Sequence, residues 1–163
     1  MKCVNLSIGN RLLVSTLLAW LFFLGSSTGQ NPSKINDLLF DNVFPGIPKT
    51  VSKYTSGKAA EFLVTGNAGD EVLVDFTLPR YMSKDGFNMQ IVFTDTDCSM
   101  DSSGTPDQSN PGNDNLDPWE TITYMLGSGG LSIWLGGTLV PGQGQPPGAY
   151  SAIVELTITP TGI

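Results

Sequence analysis

The sequence predicts an all-β protein, an antiparallel two-sheet β-sandwich that follows a signal peptide. Apolar and polar residues alternate in segment after segment beyond residue 30, and Gly, Pro, Asn and Ser interrupt them about every ten residues. No segment in that region carries a sustained 3.6-residue apolar stripe. Period-two patterning gives a strand one buried and one solvated face, which is typical of antiparallel sheets.

The first 29 residues are interpreted as a secretory signal peptide. Lys2 and Arg11 precede an apolar run at 12–24, and small or polar residues follow it. An uncleaved anchor is the alternative, but the run is shorter than the ~18–20 apolar residues that cross a bilayer. We predict cleavage after Gly29, an exported protein that is periplasmic, cell-surface or extracellular, and membrane contact only through the signal peptide before its cleavage.

Cleavage there leaves residues 30–163 as a single domain of 134 residues, enough for one hydrophobic core. Alternation and turn residues predict seven strands, with the apolar side chains of each forming the core. Seven strands without intervening helices favour an immunoglobulin-like sandwich, with an eight-stranded barrel as the alternative. The predicted strands are 38–44, 60–65, 71–78, 88–94, 119–126, 131–140 and 149–159.

Residues 95–118 form the longest predicted connection, with six Asp, four Ser, three Pro and no basic residue. This composition predicts a solvated Asp-rich loop, because so few apolar side chains offer little surface to bury. A second stretch rich in Pro and Gly, 141–148, predicts a tight return between the last two strands.

Charge and residue types exclude several classes of function. Six basic residues stand against fifteen acidic ones after cleavage, a net charge of −9 that repels phosphate backbones, so we predict no nucleic-acid partner. The chain has no histidine, which removes the commonest general base and zinc ligand. Cys98 is the only cysteine after residue 29, so no internal disulfide can form. It is interpreted as an incidental small residue rather than a reactive thiol or an intermolecular link.

Two groups of residues are candidates for binding. Asp95, Asp97 and Asp101 supply hard oxygen ligands that suit Ca²⁺, although the EF-hand pattern fails because Met100 and Pro106 occupy its glycine and glutamate positions. Trp119 and Trp134 are out of phase with the apolar faces of their strands and are candidates for stacking on a sugar ring. A plain acidic loop and a rim-covering role for tryptophan are the alternatives. No other cofactor is expected.

Several segments together resemble a family of exported bacterial β-sandwich proteins, DUF4402. Residues 131–139 carry its Gly-Thr-Leu segment, and 147–152 carry the tyrosine motif that opens its final strand. Residues 39–43, 60–66 and 72–79 are similar to its earlier strands and stand in the same order. The resemblance covers about residues 38–159 and implies a β-sandwich distantly similar to spore coat protein U and chaperone–usher pilin domains.

The resemblance implies a surface or appendage role and transfers no catalytic residues. Ala152 stands where a glycine is usual in the family, and the Asp-rich loop is longer than expected. Within these motifs, Gly136 and Gly137 predict a bulge or a positive φ, and Tyr150 is expected to bury its ring and bond its hydroxyl to nearby backbone.

These observations predict a non-enzymatic exported protein, structural or associated with the cell surface or an appendage, with other surface or envelope proteins as partners. A carbohydrate- or calcium-binding module is the alternative. The stretch 30–37 contains one apolar side chain besides Pro32, that of Ile35, and burying it gives only about 2–3 kcal/mol. We therefore expect a domain that folds without lending or borrowing a donor strand.

Overall fold

The computed structural model describes residues 30–162, and the predicted signal peptide lies outside the described residues. Within residues 30–162 every regular element is a β-strand, and no helix is found. The twelve strands are β1 (Asn31–Asn36), β2 (Lys49–Val51), β3 (Ala60–Thr65), β4 (Glu71–Thr77), β5 (Tyr81–Lys84), β6 (Phe87–Val92), β7 (Cys98–Asp101), β8 (Asn113–Leu116), β9 (Ile122–Met125), β10 (Leu131–Leu135), β11 (Gly137–Val140) and β12 (Glu155–Pro160).

The strands form three antiparallel sheets, which confirms the all-β prediction and is consistent with a β-sandwich. Sheet A has the order β1-β3-β10-β7-β8, sheet B the order β2-β11-β6-β5, and sheet C the order β12-β4-β9. Sheets B and C are connected in two places. The chain passes from β4 of sheet C directly into β5 of sheet B, and Ser151, which precedes β12 of sheet C, forms a bridge to Ser83 in β5. No helix among the described residues is long and apolar enough to cross a membrane.

Alternating side chains from all three sheets meet in one core. In β4, Val72 and Val74 are fully buried, while the residues between them are only partly covered. Phe76 at the end of this face meets Phe62 of β3 edge-to-face, with ring centroids 6.2 Å apart. The other core residues include Val51, Ala60, Val64, Met89, Ile91, Phe93, Cys98, Met100, Leu126, Leu131, Ile133, Leu135 and Leu139.

The strand predictions succeed where alternation is regular. The interval 60–65 coincides with β3, 71–78 matches β4 to within one residue, and β6 and β9 lie largely inside 88–94 and 119–126. The prediction of a first strand at 38–44 is wrong, and the last strand begins at Glu155 rather than at residue 149. The strands β1, β2 and β5 are short or polar and were not predicted.

The predicted strand 131–140 is two strands, and Gly136 separates them. β10 belongs to sheet A, whereas β11 belongs to sheet B, so the chain changes sheet at this glycine. A Cβ on Gly136 would lie 2.7 Å from both the backbone N of Lys53 and the O of Val51. The glycine is therefore needed for close backbone approach rather than for the positive φ that the sequence suggested.

The prediction that residues 95–118 are a solvated loop is wrong in part. β7 and β8 lie within this interval, and all four residues of β7 are buried in sheet A. Cys98 and Met100 point into the core, while Ser99 and Asp101 alternate with them on the outer face and are covered as well. Two apolar side chains in an acidic stretch are too weak a signal to predict a strand. β7 is nevertheless buried on both faces, because it lies inside sheet A between β10 and β8.

Candidate functional site

An apolar cleft lies beside residues 38–44 and 149–154, two segments that are predicted as strands but belong to no sheet. It lies between residues 38–45 and 145–154 and consists of two adjoining cavities of about 530 and 470 Å³. Both cavities are lined by Leu38, Leu39, Phe40, Met82 and Tyr150. The volumes fall in the range of small-molecule sites, and the lining is mainly apolar.

Tyr150 stands between the two cavities and adopts the predicted arrangement. Its ring is half-buried against the core, and its hydroxyl donates a hydrogen bond to the carbonyl of Pro146 at 3.0 Å. This bond closes a turn from Pro146 to Tyr150 and fixes the position of these residues, which line one side of the cleft.

Trp119 is an exposed aromatic side chain in a fixed position. The residue is 48% exposed, yet its Nε1 donates a hydrogen bond to the carbonyl of Phe93 at 2.9 Å. The ring also meets the edge of Phe93, with centroids 6.4 Å apart. Trp119 lies ahead of β9 rather than within it, and it offers a preordered apolar surface.

Trp134 is not a surface residue, and the prediction that it can stack on a sugar is wrong. It lies at the centre of sheet A in β10, only 2% exposed, directly opposite Ser99 of β7. Both faces of β10 are buried, so a residue that is out of phase with the apolar face of this strand is not exposed to solvent. Its Nε1 has no hydrogen-bond partner within residues 30–162.

The three predicted calcium ligands do not converge. Asp97 accepts a hydrogen bond from the backbone N–H of Thr94 at 2.7 Å, in a local turn, and Asp95 is exposed. The carboxylate of Asp101 is buried and binds backbone N–H groups. In the part of the chain that the structure describes, no group of three or more His, Cys, Asp or Glu side chains is placed to hold a metal ion.

Asp101 organises the connection that follows β7. Its Oδ1 accepts the N–H of Ser103 at 2.7 Å, and its Oδ2 accepts the N–H of Asp107 at 3.1 Å. Burial raises the pKa of Asp101, but the hydrogen bonds from Ser103, Asp107 and Gly112 outweigh this effect, so the pKa is lowered overall. The carboxylate thereby folds an acidic segment back over the outer face of sheet A.

The substitution Asp101→Asn is expected to lower the free energy of unfolding at neutral pH by about 1–2 kcal/mol. An amide cannot accept hydrogen bonds on both sides, so one backbone N–H is left unpaired. A carboxyl whose pKa is lowered on folding stabilises the protein above its unfolded pKa, near 3.8, and this stabilisation is lost as the pH falls below that value. Urea unfolding of both proteins should therefore show a difference at pH 7 that shrinks below about pH 3.8.

Asp95→Asn is the matched control for that experiment, because Asp95 is an exposed carboxylate in the same connection. Its effect on unfolding at pH 7 should stay within about 0.5 kcal/mol. Equal losses for the two variants would contradict the bracing role of Asp101.

A buried lysine lies at the centre of a polar cluster. The side chain of Lys53 is 5% exposed, and its Nζ lies 2.7 Å from Asp114 Oδ1 and 3.0 Å from Asn115 Oδ1. It also donates to the carbonyls of Thr96 at 2.6 Å and Cys98 at 3.4 Å. We call Lys53, Tyr54, Asp114 and Asn115 the Lys53 cluster.

Tyr54 completes the Lys53 cluster from the solvent side. Its hydroxyl donates to Asp114 Oδ2 at 2.5 Å, and its ring centroid lies 5.1 Å from Lys53 Nζ. The hydrogen bond to Asp114 raises the pKa of Tyr54. For Asp114, desolvation raises the pKa, but the hydrogen bonds from Lys53 and Tyr54 outweigh it, so the pKa is lowered.

Sequence reasoning missed the Lys53 cluster. A lysine in a Ser-Lys-Tyr-Thr stretch indicates a solvated turn, and Asp114 and Asn115 read as part of the acidic loop. The usable signal was one lysine close to an aromatic residue in a chain with few basic residues, which is weak. Only the packing of the β2 end against β7 and β8 places these side chains together.

Cys98 is a core residue, as the interpretation of an incidental cysteine implied. It is fully buried in β7, and burial raises the pKa of its thiol to about 12. The thiol therefore stays protonated and shielded from solvent at neutral pH.

No family model matches this chain, and no match was found among curated proteins or solved structures.

Proposed function

We propose that this chain is a non-enzymatic structural protein, exported to the periplasm, the cell surface or the extracellular space. The Lys53 cluster is the observation that supports this proposal. It uses a buried ammonium and a carboxylate to tie the end of an edge strand to two other strands, instead of presenting these groups to a substrate.

Two further features agree with a structural role. The buried carboxylate of Asp101 braces backbone, and the thiol of Cys98 is enclosed in the core. Three of the segments that resemble the exported DUF4402 family, 60–66, 72–79 and 131–139, form β3, β4 and the strands β10 and β11, whereas 39–43 and 147–152 form no named strand. The proposed partners are other surface or envelope proteins.

Export is tested by expressing the full chain with a C-terminal epitope tag in a bacterial host and separating cytosol, periplasm, envelope and medium. The tagged protein should be found outside the cytosol, and mass spectrometry of its amino-terminal peptide should place Gln30, or the pyroglutamate formed from it, at the first position. A variant with Leu17→Arg and Leu18→Arg, which interrupts the apolar run, should stay in the cytosol with its leader intact. Retention of the unchanged chain in the cytosol would contradict the proposal.

A second candidate function, carbohydrate binding, is favoured by the fixed exposure of Trp119. A side chain already held by Phe93 loses little conformational freedom when a sugar ring stacks on it. Glycan-array binding that is lost in Trp119→Ala but kept in Trp134→Phe would support a sugar-binding surface. Equal binding by Trp119→Ala and the unchanged protein would remove Trp119 from consideration.

A further inference from the structure

The Lys53 cluster brings an amine, a carboxamide and a carboxylate into mutual contact. Lys53 Nζ lies 3.0 Å from the amide oxygen of Asn115 and 2.7 Å from Asp114 Oδ1. The second oxygen of Asp114 accepts a hydrogen bond from the amide nitrogen of Asn115 at 3.3 Å. We propose that Lys53 and Asn115 join in an intramolecular isopeptide bond, with Asp114 carrying the proton between them.

The three groups have the roles that amide exchange requires. A primary amine is the nucleophile, the side-chain amide is the electrophile, and a carboxylate touching both can accept a proton from one and donate it to the other. Lys53 is enclosed by the backbone of β7 and by Tyr54, which keeps the amine against the amide rather than in water. Such fixed proximity is worth a large effective concentration in a reaction that is otherwise very slow.

The step is balanced without any co-reactant. The Lys53 ammonium transfers a proton to Asp114, and the resulting amine attacks Cγ of Asn115. The protonated Asp114 then gives its proton to the amide nitrogen as the Cγ–Nδ2 bond breaks. The carboxylate of Asp114, ionised again, takes the second proton from Nζ and passes it to the departing ammonia. One Nζ–Cγ bond forms, the Cγ–Nδ2 bond breaks, one ammonium ion leaves, and Asp114 ends in its ionised form. Because hydrogen bonds favour the ionised form of Asp114, the first transfer is uphill, and the reaction is a slow, single-turnover maturation step.

Local structure holds the two side chains in place. Asn115 has φ 54°, a left-handed conformation that asparagine tolerates better than most residues. The hydroxyl of Tyr54 fixes Asp114 from the opposite side. By contrast, Nζ of Lys58 in the same segment forms an exposed ion pair with the carboxylate of Asp41.

The proposed bond would connect two sheet edges. Lys53 follows β2, an edge strand of sheet B, and Asn115 belongs to β8, an edge strand of sheet A. The link closes a loop between positions 62 residues apart, in a domain that cannot form an internal disulfide. Unlike a disulfide, it would persist under reducing conditions.

The test is peptide mapping of the purified full chain under denaturing, reducing conditions. We expect a branched peptide that joins the Lys53 and Asn115 fragments and weighs less than their sum by one ammonia molecule. Whole-protein mass alone does not decide the matter, since an amino-terminal Gln30 also loses ammonia on cyclisation. The linked chain should migrate faster than an unlinked chain in denaturing gels, because the closed loop makes it more compact.

Three variants complete the design. Asn115→Gly removes the amide and keeps the left-handed backbone, so it should fold, give no branched peptide and melt at a lower temperature. Lys53→Arg should also give none, and Asp114→Asn should reduce the linked fraction to near zero while the chain still folds. Fragments that are all linear in the unchanged protein would overturn the proposal. So would ammonia loss confined to a linear Asn115 peptide, or a branched peptide lighter by water, which would assign the bond to Asp114.

Discussion

Replacing Lys53 with methionine is expected to lower the free energy of unfolding by about 2–3 kcal/mol. The substitution removes the donor of the Thr96 carbonyl and of Asp114 Oδ1, while Tyr54 still donates to Asp114 Oδ2. The loss falls below that of a fully enclosed ion pair, since the side chain of Asp114 is 33% exposed and can still be hydrated. Urea unfolding at pH 7 measures the change.

The comparison is best made in the Asn115→Gly background, where the proposed covalent link cannot form. Lys58→Met is the matched control, because Lys58 lies in the same segment and its ion pair with Asp41 is about half exposed. Its effect should stay below about 0.5 kcal/mol. Similar losses at the two lysines would show that burial of Lys53 does not govern the stability of this region.

Gly136→Ala is expected to cost about 3 kcal/mol. The new Cβ would lie 2.7 Å from two backbone atoms, the N of Lys53 and the O of Val51, and backbone cannot move aside as a flexible side chain can. At the same position the N–H of Gly136 donates to the carbonyl of Asp97 at 2.9 Å, so a shift would also weaken the pairing next to β7.

Gly144→Ala is the control for that substitution, since a Cβ there meets no atom within 4 Å and the residue lies in an exposed turn. Thermal and urea unfolding should leave Gly144→Ala close to the unchanged protein. A stable Gly136→Ala variant would mean that the change of sheet between β10 and β11 tolerates a side chain.

The sequence predicts this fold best where one sheet face is buried and the other is wet. β3 and β4 follow that pattern, and their predicted bounds nearly coincide with the observed ones. β7 and β10 are buried on both faces, so the rule that polar side chains in a strand face solvent gives the wrong prediction for them. Trp134 was misassigned for this reason, and so was the whole interval around Cys98 and Met100.

The polar sites depend on tertiary structure even more strongly. The sequence predicts Asp101 as an oxygen ligand of a metal ion, but its oxygens bind backbone N–H groups of residues two and six positions further along the chain. Lys53 and Asn115 are far apart in sequence and carry no shared motif. Alternation predicts which side chains face a core, but it gives no information on which loops meet outside it.

The position of β10 in sheet A determines when the domain can fold. β3 and β7 do not pair with each other, and each of them pairs with β10. Sheet A therefore stays divided into two pieces, β1-β3 and β7-β8, until residues 131–135 have left the ribosome. In sheet C, β4 can pair with β9 earlier, and the edge strand β12 is added last, at 155–160. Partial chains that stop before residue 131 lack the central strand of sheet A, so cooperative folding of that sheet begins only after β10 has been synthesised.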